Sequence, residues 1–154
     1  MNSTHATTTT ATATATGRFV FADWTEQAVG AADAVPRLAD ASVSNSFSGG
    51  VEAAGTLCRY TVAYLGESEG SFSGLELLTG SVDGREGSFV LAESGTFDAE
   101  GTRCAFEVVP GSGTGELTGL RGSGGFTTPH GAQSVAYALD YWFEAGDDRD
   151  NRDV

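Results

Sequence analysis

Apolar and polar residues alternate along most of this chain, and the alternation is cleanest near the C-terminus. The run Ser134–Glu144 places five apolar side chains on one face, namely Val135, Tyr137, Leu139, Tyr141 and Phe143. A period of two residues is the pattern of a strand with one buried face. The pattern recurs at Cys58, Tyr60, Val62 and Tyr64 and again at Cys104, Phe106 and Val108. These runs predict β-strands whose apolar sides face a common core.

Strand-like runs of this kind occur eight times and are separated by short glycine-containing turns. They are Arg18–Trp24, Leu38–Phe47, Val51–Leu65, Ser71–Val82, Glu86–Asp98, Thr102–Val109, Ser123–Thr128 and Ser134–Glu144. The dipeptide Asp83-Gly84 is the strongest hairpin signal among the turns. Because no helical crossover separates the runs, the sheet must be antiparallel. Eight such strands form either a sandwich or a barrel, and a closed barrel, which has no exposed edges, is favoured.

The two ends of the chain differ from this central region. Residues 1–16 alternate threonine and alanine without larger apolar side chains, and residues 146–154 are mostly charged. Neither segment can bury enough apolar surface to offset its loss of chain entropy, so both are predicted to be disordered tails. The predicted fold class is therefore all-β, a single domain at residues 17–145.

Composition narrows the classes of partner and cofactor. The 154 residues include 22 glycines, which suits many tight turns, and carry a net charge of −13 without any lysine. So negative a surface disfavours nucleic acid and anionic membranes. The N-terminus lacks the basic and apolar regions of a secretory signal, so a cytoplasmic location with free Cys58 and Cys104 is expected. No C-x-x-C or H-x-x-x-H spacing is present, and we expect no metal and no cofactor.

Two carboxylates embedded in strands are the candidates for chemistry. Glu76 shares a strand face with Phe72 and Leu78, and Glu93 shares one with Phe89 and Leu91. If either points into the barrel, burial would raise its pKa and make it a proton donor or base. The alternative is that both face solvent on an outer wall or pair with Arg59 and Arg103. The sequence alone does not assign the faces.

The remaining candidates are rings suited to an aromatic ligand site. They are Trp24, Tyr60, Tyr64, Tyr137 and Tyr141, together with Glu76 and with His130 in a turn at one end of the predicted barrel. Such rings either line a cavity or pack in a core. Loops at the ends of a barrel often carry function, which is the reason to include His130.

Four stretches of the chain carry a family resemblance. They are Ser42–Gly55, Gly70–Asp98, Val108–Gly131, which contains VVPGSGTGELTGLRG, and Tyr137–Phe143. Together they resemble a bacterial family of uncharacterised proteins whose members fold like allene oxide cyclase. The resemblance implies an eight-stranded antiparallel barrel and a homo-oligomer, a dimer or a trimer. Allene oxide cyclases close a reactive fatty-acid epoxide in an apolar lumen, but no motif here matches their catalytic residues.

Three functional hypotheses follow. The leading one is a barrel that binds a small apolar ligand, lipid-like or polyketide-like, without established chemistry. The second is an isomerase or cyclase that uses Glu76 or Glu93 in the same lumen. The third is a barrel filled by side chains whose role is self-association.

Overall fold

The computed structural model of the chain describes residues 12–145, and most of them belong to one β-sheet. Its strands are β1 (Ala13–Val29), β2 (Arg37–Gly49), β3 (Val51–Ala53), β4 (Leu57–Tyr64), β5 (Gly70–Val82), β6 (Arg85–Phe97), β7 (Gly101–Val108), β8 (Leu120–Pro129) and β9 (Ser134–Phe143). Residues 1–11 and 146–154 lie outside the described residues. The disorder predicted for them stays a prediction.

The sheet closes on itself into a barrel. Strand β1 pairs with β2 on one side and with β9 on the other, and all pairings are antiparallel. The short β3 and the longer β4 both lie between β2 and β5, so they are two parts of one strand position interrupted at residues 54–56. The barrel therefore has eight strand positions. This architecture confirms the predicted eight-stranded antiparallel barrel and rejects the sandwich.

The Asp83-Gly84 turn joins β5 to β6 as predicted. Both residues have positive φ, 46° and 90°, as the favoured two-residue hairpin turns require. Val82 pairs directly with Arg85, and the ladder continues without a break to Gly70 and Phe97. This one turn therefore fixes which residues of β5 and β6 are neighbours.

The first strand begins earlier than composition indicates. Residues 13–16, assigned to the tail in the sequence analysis, pair with β9 from Ala138 to Tyr141. Ala15 is only 1% exposed and belongs to the main core. A small side chain suffices there because this segment gains its stability from backbone pairing with β9. The barrel therefore includes residues 13–16, and the composition argument placed its boundary too late.

One half of the barrel interior is packed solid. The side chains of its core are Phe19, Phe47, Leu78, Val82, Phe89, Leu91, Phe106, Val108, Val135, Tyr137, Leu139 and Tyr141, with smaller residues between them. The connection from β7 to β8 covers this end, and its short 3-10 helix (Gly115–Leu117) places Leu117 fully in the core. The hypothesis of a barrel filled by side chains therefore holds for this half.

The other half of the interior is lined by a separate, smaller cluster. Ala39, Ala41 and Val62 are its buried members, and partly buried rings pack against them. Because alanines project so little into the lumen, the rings leave space between them. Among the described residues there is no helix long and apolar enough to cross a membrane.

Candidate functional site

A cavity of about 610 Å³ occupies the loosely filled half of the barrel. It opens where the β4–β5, β6–β7 and β8–β9 connections meet, through Glu67 and Ser68, Asp98 and Ala99, and His130 respectively. Its volume lies within the ~300–1,000 Å³ range of small-molecule sites. The barrel is thus hollow at this end, whereas the side chains of the first cluster fill the other.

Aromatic side chains form most of the cavity wall. The rings of Tyr60 and Phe72 meet edge to face with their centroids 5.1 Å apart, and those of Tyr64 and Phe97 do so at 5.5 Å. Trp24 lies 6.4 Å from Tyr60 and is nearly half exposed at the mouth. Three of the aromatic residues selected from sequence, Trp24, Tyr60 and Tyr64, therefore line one cavity.

The rim of the cavity is organised around Glu26. The Tyr64 hydroxyl donates to Glu26 Oε2 at 2.6 Å, and the Trp24 indole N–H donates to Oε1 at 3.1 Å. Partial burial and this carboxylate raise the pKa of Tyr64 to about 12. The guanidinium of Arg37 lies 3.9 Å from the centre of the Tyr64 ring. Glu26 lies between Thr25 and Gln27 in the sequence, without the apolar strand neighbours that made Glu76 and Glu93 candidates. It was therefore not among the site residues predicted from sequence.

Glu76 and Glu93 meet under the floor of the cavity, with exposed fractions of 1% and 4%. Both point inward, which decides the question that the sequence left open; Arg59 and Arg103 lie on the exposed outer face. Oε2 of Glu76 accepts hydrogen bonds from Asn45 Nδ2 at 2.8 Å and from the Thr56 hydroxyl at 2.5 Å.

The second carboxyl of the pair, Glu93, holds a proton. Its pKa is raised to about 9 by burial and by its hydrogen bond to, and repulsion from, Glu76. Glu93 Oε1 accepts from the Tyr60 hydroxyl at 2.7 Å and from the Cys104 thiol at 3.9 Å. Two carboxyl groups that cannot both ionise share one proton. The pair therefore carries a single negative charge at neutral pH.

The cavity reaches this pair through two residues. Tyr60 and Asn45 line the cavity, and each is hydrogen-bonded to one of the two carboxyls behind it. Tyr60 lies opposite Gly74 in the ladder, where a Cβ would stand 2.8 Å from its ring and 1.9 Å from the Arg59 carbonyl oxygen. Glycine at that position lets the Tyr60 ring lie against the sheet, with its hydroxyl directed at Glu93.

Two buried polar residues of the site escaped the sequence analysis. Asn45 lies among serines in β2, and Thr56 lies in the break between β3 and β4. The Thr56 hydroxyl also accepts from the Asn45 backbone N–H at 3.0 Å, which ties the break to β2. Asn45 stands at an inward position of β2, between Val43 and Phe47. Asn45 could have been found from the sequence, because it is a polar residue at a position where the alternation of β2 calls for an apolar one.

Tyr137 and Tyr141 lie outside the cavity, in the packed half. The Tyr137 hydroxyl accepts from the Val51 backbone N–H at 2.9 Å and donates to the Ser48 carbonyl. The Tyr141 hydroxyl donates to Asp83 at the closed end. A ligand in this cavity would touch neither ring, although both were selected as ligand-binding candidates, because alternation alone does not say where along the barrel axis a ring lies.

His130 lines the cavity from its exposed rim. Its backbone N–H donates to the Glu100 carbonyl at 2.9 Å, which holds the β8–β9 turn against the β6–β7 turn. The imidazole therefore borders the opening rather than the floor.

Cys58 joins the two carboxyls to make a compact group of donor atoms. Its Sγ and one oxygen each of Glu76 and Glu93 all lie within 4.8 Å of one another. A metal would require deprotonated ligands, yet burial raises the pKa of the Cys58 and Cys104 thiols far above the usual range. The hydrogen bonds already described join the two carboxyls of this group to Asn45, Thr56, Tyr60 and Cys104. Its members come from three strands, so no spacing along the sequence could reveal it.

Comparison with known proteins identifies a family and a solved structure similar to this barrel, both described as of unknown function. No protein with a curated description matches the chain. Its fold and sequence are similar to a crystal structure, at 1.84 Å resolution, of a DUF3224-family protein of unknown function from Shewanella oneidensis MR-1. The two are 30% identical with a TM-score of 0.68, and the match covers 87% of this chain and 99% of the other. The model of that same family, described as proteins of unknown function, matches residues 15–141, so the chain belongs to the DUF3224 family.

Proposed function

We propose that this protein binds a small, largely apolar molecule in the open half of its barrel. The observation that carries the proposal is the cavity of about 610 Å³ with aromatic walls, beside a half of the barrel that side chains fill. A barrel stabilised by side chains alone would have no reason to leave one half hollow, since unfilled apolar volume costs stability. A ligand that fills the cavity would recover those contacts.

A neutral fluorescent probe tests this proposal directly. N-phenyl-1-naphthylamine brightens in apolar surroundings, and we expect it to bind the purified protein at one site. Val62→Trp places an indole in the cavity, so we expect affinity to fall by about tenfold or more. Ala92→Trp is the matched control, because Ala92 is exposed on the outer wall of β6. Circular dichroism would establish that both variants fold.

A second cavity variant guards against a loss of binding that is caused by misfolding. Val62 is only 3% exposed, so tryptophan at this position could disturb the fold. Thr102→Trp is therefore tested as a second cavity variant, because Thr102 lines the same cavity but is only half-buried. Binding that survives in both cavity variants, or that Ala92→Trp weakens equally, would place the probe elsewhere and refute the proposal. If the cavity variants lose binding as expected, mass spectrometry of protein purified under native conditions from its own host would identify any retained ligand.

A specific observation favours a second candidate, an isomerase or cyclase acting in the same cavity. Glu93 is protonated at neutral pH, with a pKa of about 9, and is one hydrogen bond from the cavity through the Tyr60 hydroxyl. A positioned acid near the working pH, together with a wall that holds a reactive chain in one shape, suits an intramolecular closure. The likeness to allene oxide cyclase belongs to this candidate and stays a prediction.

Turnover of a reactive ligand distinguishes the two candidates. An unsaturated fatty-acid epoxide would be incubated with the protein and its cyclic products separated by chiral chromatography. Enzymatic closure predicts one enantiomer in excess, and predicts that Tyr60→Phe and Glu93→Gln lower the rate while probe binding is retained. A racemic product formed at the rate of the buffer control would exclude this reaction.

A further inference from the structure

The Asp, Glu and Arg side chains that line the cavity are all acidic. Glu26, Glu67 and Asp98 line it, and among residues 12–145 no arginine does, although Arg37 and Arg103 lie beside the rim. Asp98 is paired with Arg103 at 2.9 Å, whereas Glu26 and Glu67 have no such ion pair among the described residues. The whole chain carries −13. A cleft lined by one sign of charge concentrates ions of the opposite sign.

The floor of the cavity also presents acceptors. Nδ2 of Asn45 is used by Glu76, while its Oδ1 receives no hydrogen bond from the described residues. Every fully buried side-chain oxygen and nitrogen in those residues does have a partner. Oδ1 is therefore open to the cavity although Asn45 as a whole is 4% exposed. Behind it lies the single negative charge of the Glu76–Glu93 pair.

The walls between rim and floor are suited to a cation as well as to apolar groups. The faces of Tyr and Trp rings attract cations within ~6 Å of the ring centre. Tyr64 already holds the guanidinium of Arg37 in this way at the rim. Inside, the rings of Tyr60 and Phe72 line the same cavity as Asn45.

We propose that the ligand is a hydrophobic amine, bound in its protonated form with the ammonium group against Asn45 Oδ1 above the Glu76–Glu93 pair. This inference rests on the proposed function and gives its ligand class. The ammonium donates to the open Oδ1 and lies near the buried negative charge, and the apolar body fills the aromatic walls towards Trp24. A carboxylate headgroup finds no arginine or lysine among the lining residues, and it faces an acceptor at the floor and acids at the rim.

Three ligands with one apolar body test the headgroup. Decylamine, decanol and decanoate would each compete with N-phenyl-1-naphthylamine at pH 7. We expect decylamine to bind about tenfold or more tightly than decanol, and decanoate to bind more weakly than decanol. The ratio of amine to alcohol affinity is the readout, because the alcohol reports the apolar contacts alone.

Matched variants locate the charge responsible. The double variant Glu76→Gln/Glu93→Gln keeps amide oxygens as acceptors for Asn45, Thr56 and Tyr60 but removes the charge of the pair, so the amine-to-alcohol ratio should fall by about tenfold while decanol binding is retained. Asn45→Leu removes the open acceptor itself and should lower the same ratio. Glu107→Gln changes the net charge equally from the exposed outer wall of β7 and should leave the ratio unchanged.

Each result decides the inference. Equal binding of all three ligands, or tightest binding of decanoate, overturns the amine assignment but leaves the proposed function standing, since the cavity then still binds an apolar body. An equal fall of the ratio in Glu107→Gln and in Glu76→Gln/Glu93→Gln also overturns it, because the preference would then be a property of the whole surface. If neither the probe nor any of the three ligands binds, the proposed function itself fails.

Discussion

Replacing Glu93 by glutamine should change how the stability of this protein depends on pH. Glu93 shares its proton with Glu76, and Tyr60 and Cys58 of β4 and Cys104 of β7 are the other titratable groups around the pair. Glutamine has nearly the same shape, can accept from Tyr60 and can donate to Glu76. The variant therefore keeps the packing and the hydrogen bonds but has no proton to lose.

The sign and size of the effect follow from the raised pKa. The pKa of Glu93 is about 9 in the folded protein and near its ordinary value of 4.5 in the unfolded chain. Between these values the folded state holds a proton that the unfolded state has released, so the stabilisation is complete below about 4.5 and is lost as pH rises towards about 9. One proton corresponds to ~1.4 kcal/mol per pH unit. From pH 6 to pH 8 the wild type should lose ~3 kcal/mol that the variant does not lose.

Urea unfolding at several pH values measures this difference. The free energy of unfolding would be taken from the midpoint and slope of each transition, at pH 6, 7 and 8, for the wild type, Glu93→Gln and Glu107→Gln. Exposed carboxylates are already ionised in this range and contribute little. We expect the free energy of unfolding to fall with pH by the same amount in the wild type and in Glu107→Gln. In Glu93→Gln it should stay nearly constant over this pH range. Parallel lines for all three proteins would refute the shared proton.

Three further predictions concern other parts of the barrel. Tyr137→Phe removes a hydroxyl bonded to the Val51 N–H in the packed half, so it should lower the free energy of unfolding by ~1–3 kcal/mol without changing probe affinity. Gly74→Ala brings a Cβ to 1.9 Å from the Arg59 carbonyl oxygen, so it should lower the free energy of unfolding by ~1–3 kcal/mol or more. A lower melting temperature in thermal unfolding would show this loss. Leu77 is exposed on the outer wall; if the homo-oligomer predicted from the family resemblance uses this wall, Leu77→Arg should lower the mass measured by light scattering.

Strand identity could be predicted from the sequence because each strand carries its own signal. The alternation in Ser134–Glu144 and the Asp83-Gly84 turn are local features, and local features survive in any fold that keeps the strands. The start of β1 could not be predicted in this way. Ala13 and its neighbours have no apolar bulk, and they are ordered only because β9 offers them a partner on the far side of the closed barrel. Closure is a tertiary property, and composition does not report it.

The aromatic residues show a second limit of sequence-based prediction. Tyr60 and Tyr141 have the same alternation, yet one lines the cavity and the other packs at the closed end. What separates them is distance along the barrel axis, which depends on how far each strand is shifted relative to the next. The small residues Ala39 and Ala41, not the rings, mark the half that stays open.

The proximity of Glu76 and Glu93, unlike that of Cys58, follows from the turn that joins their two strands. A two-residue turn at Asp83-Gly84 pairs Val82 with Arg85, and counting outward places Glu76 opposite Leu91 and Glu93 opposite Gly74. Residues diagonal to one another on one face lie close together in an antiparallel ladder, so the turn alone brings both acids to the same face. Whether that face points inward is a separate question, because Leu75 and Leu77 make the opposite face of β5 equally apolar in sequence. Only the closed barrel decides it, and by turning that face inward it puts two acids where one must keep its proton.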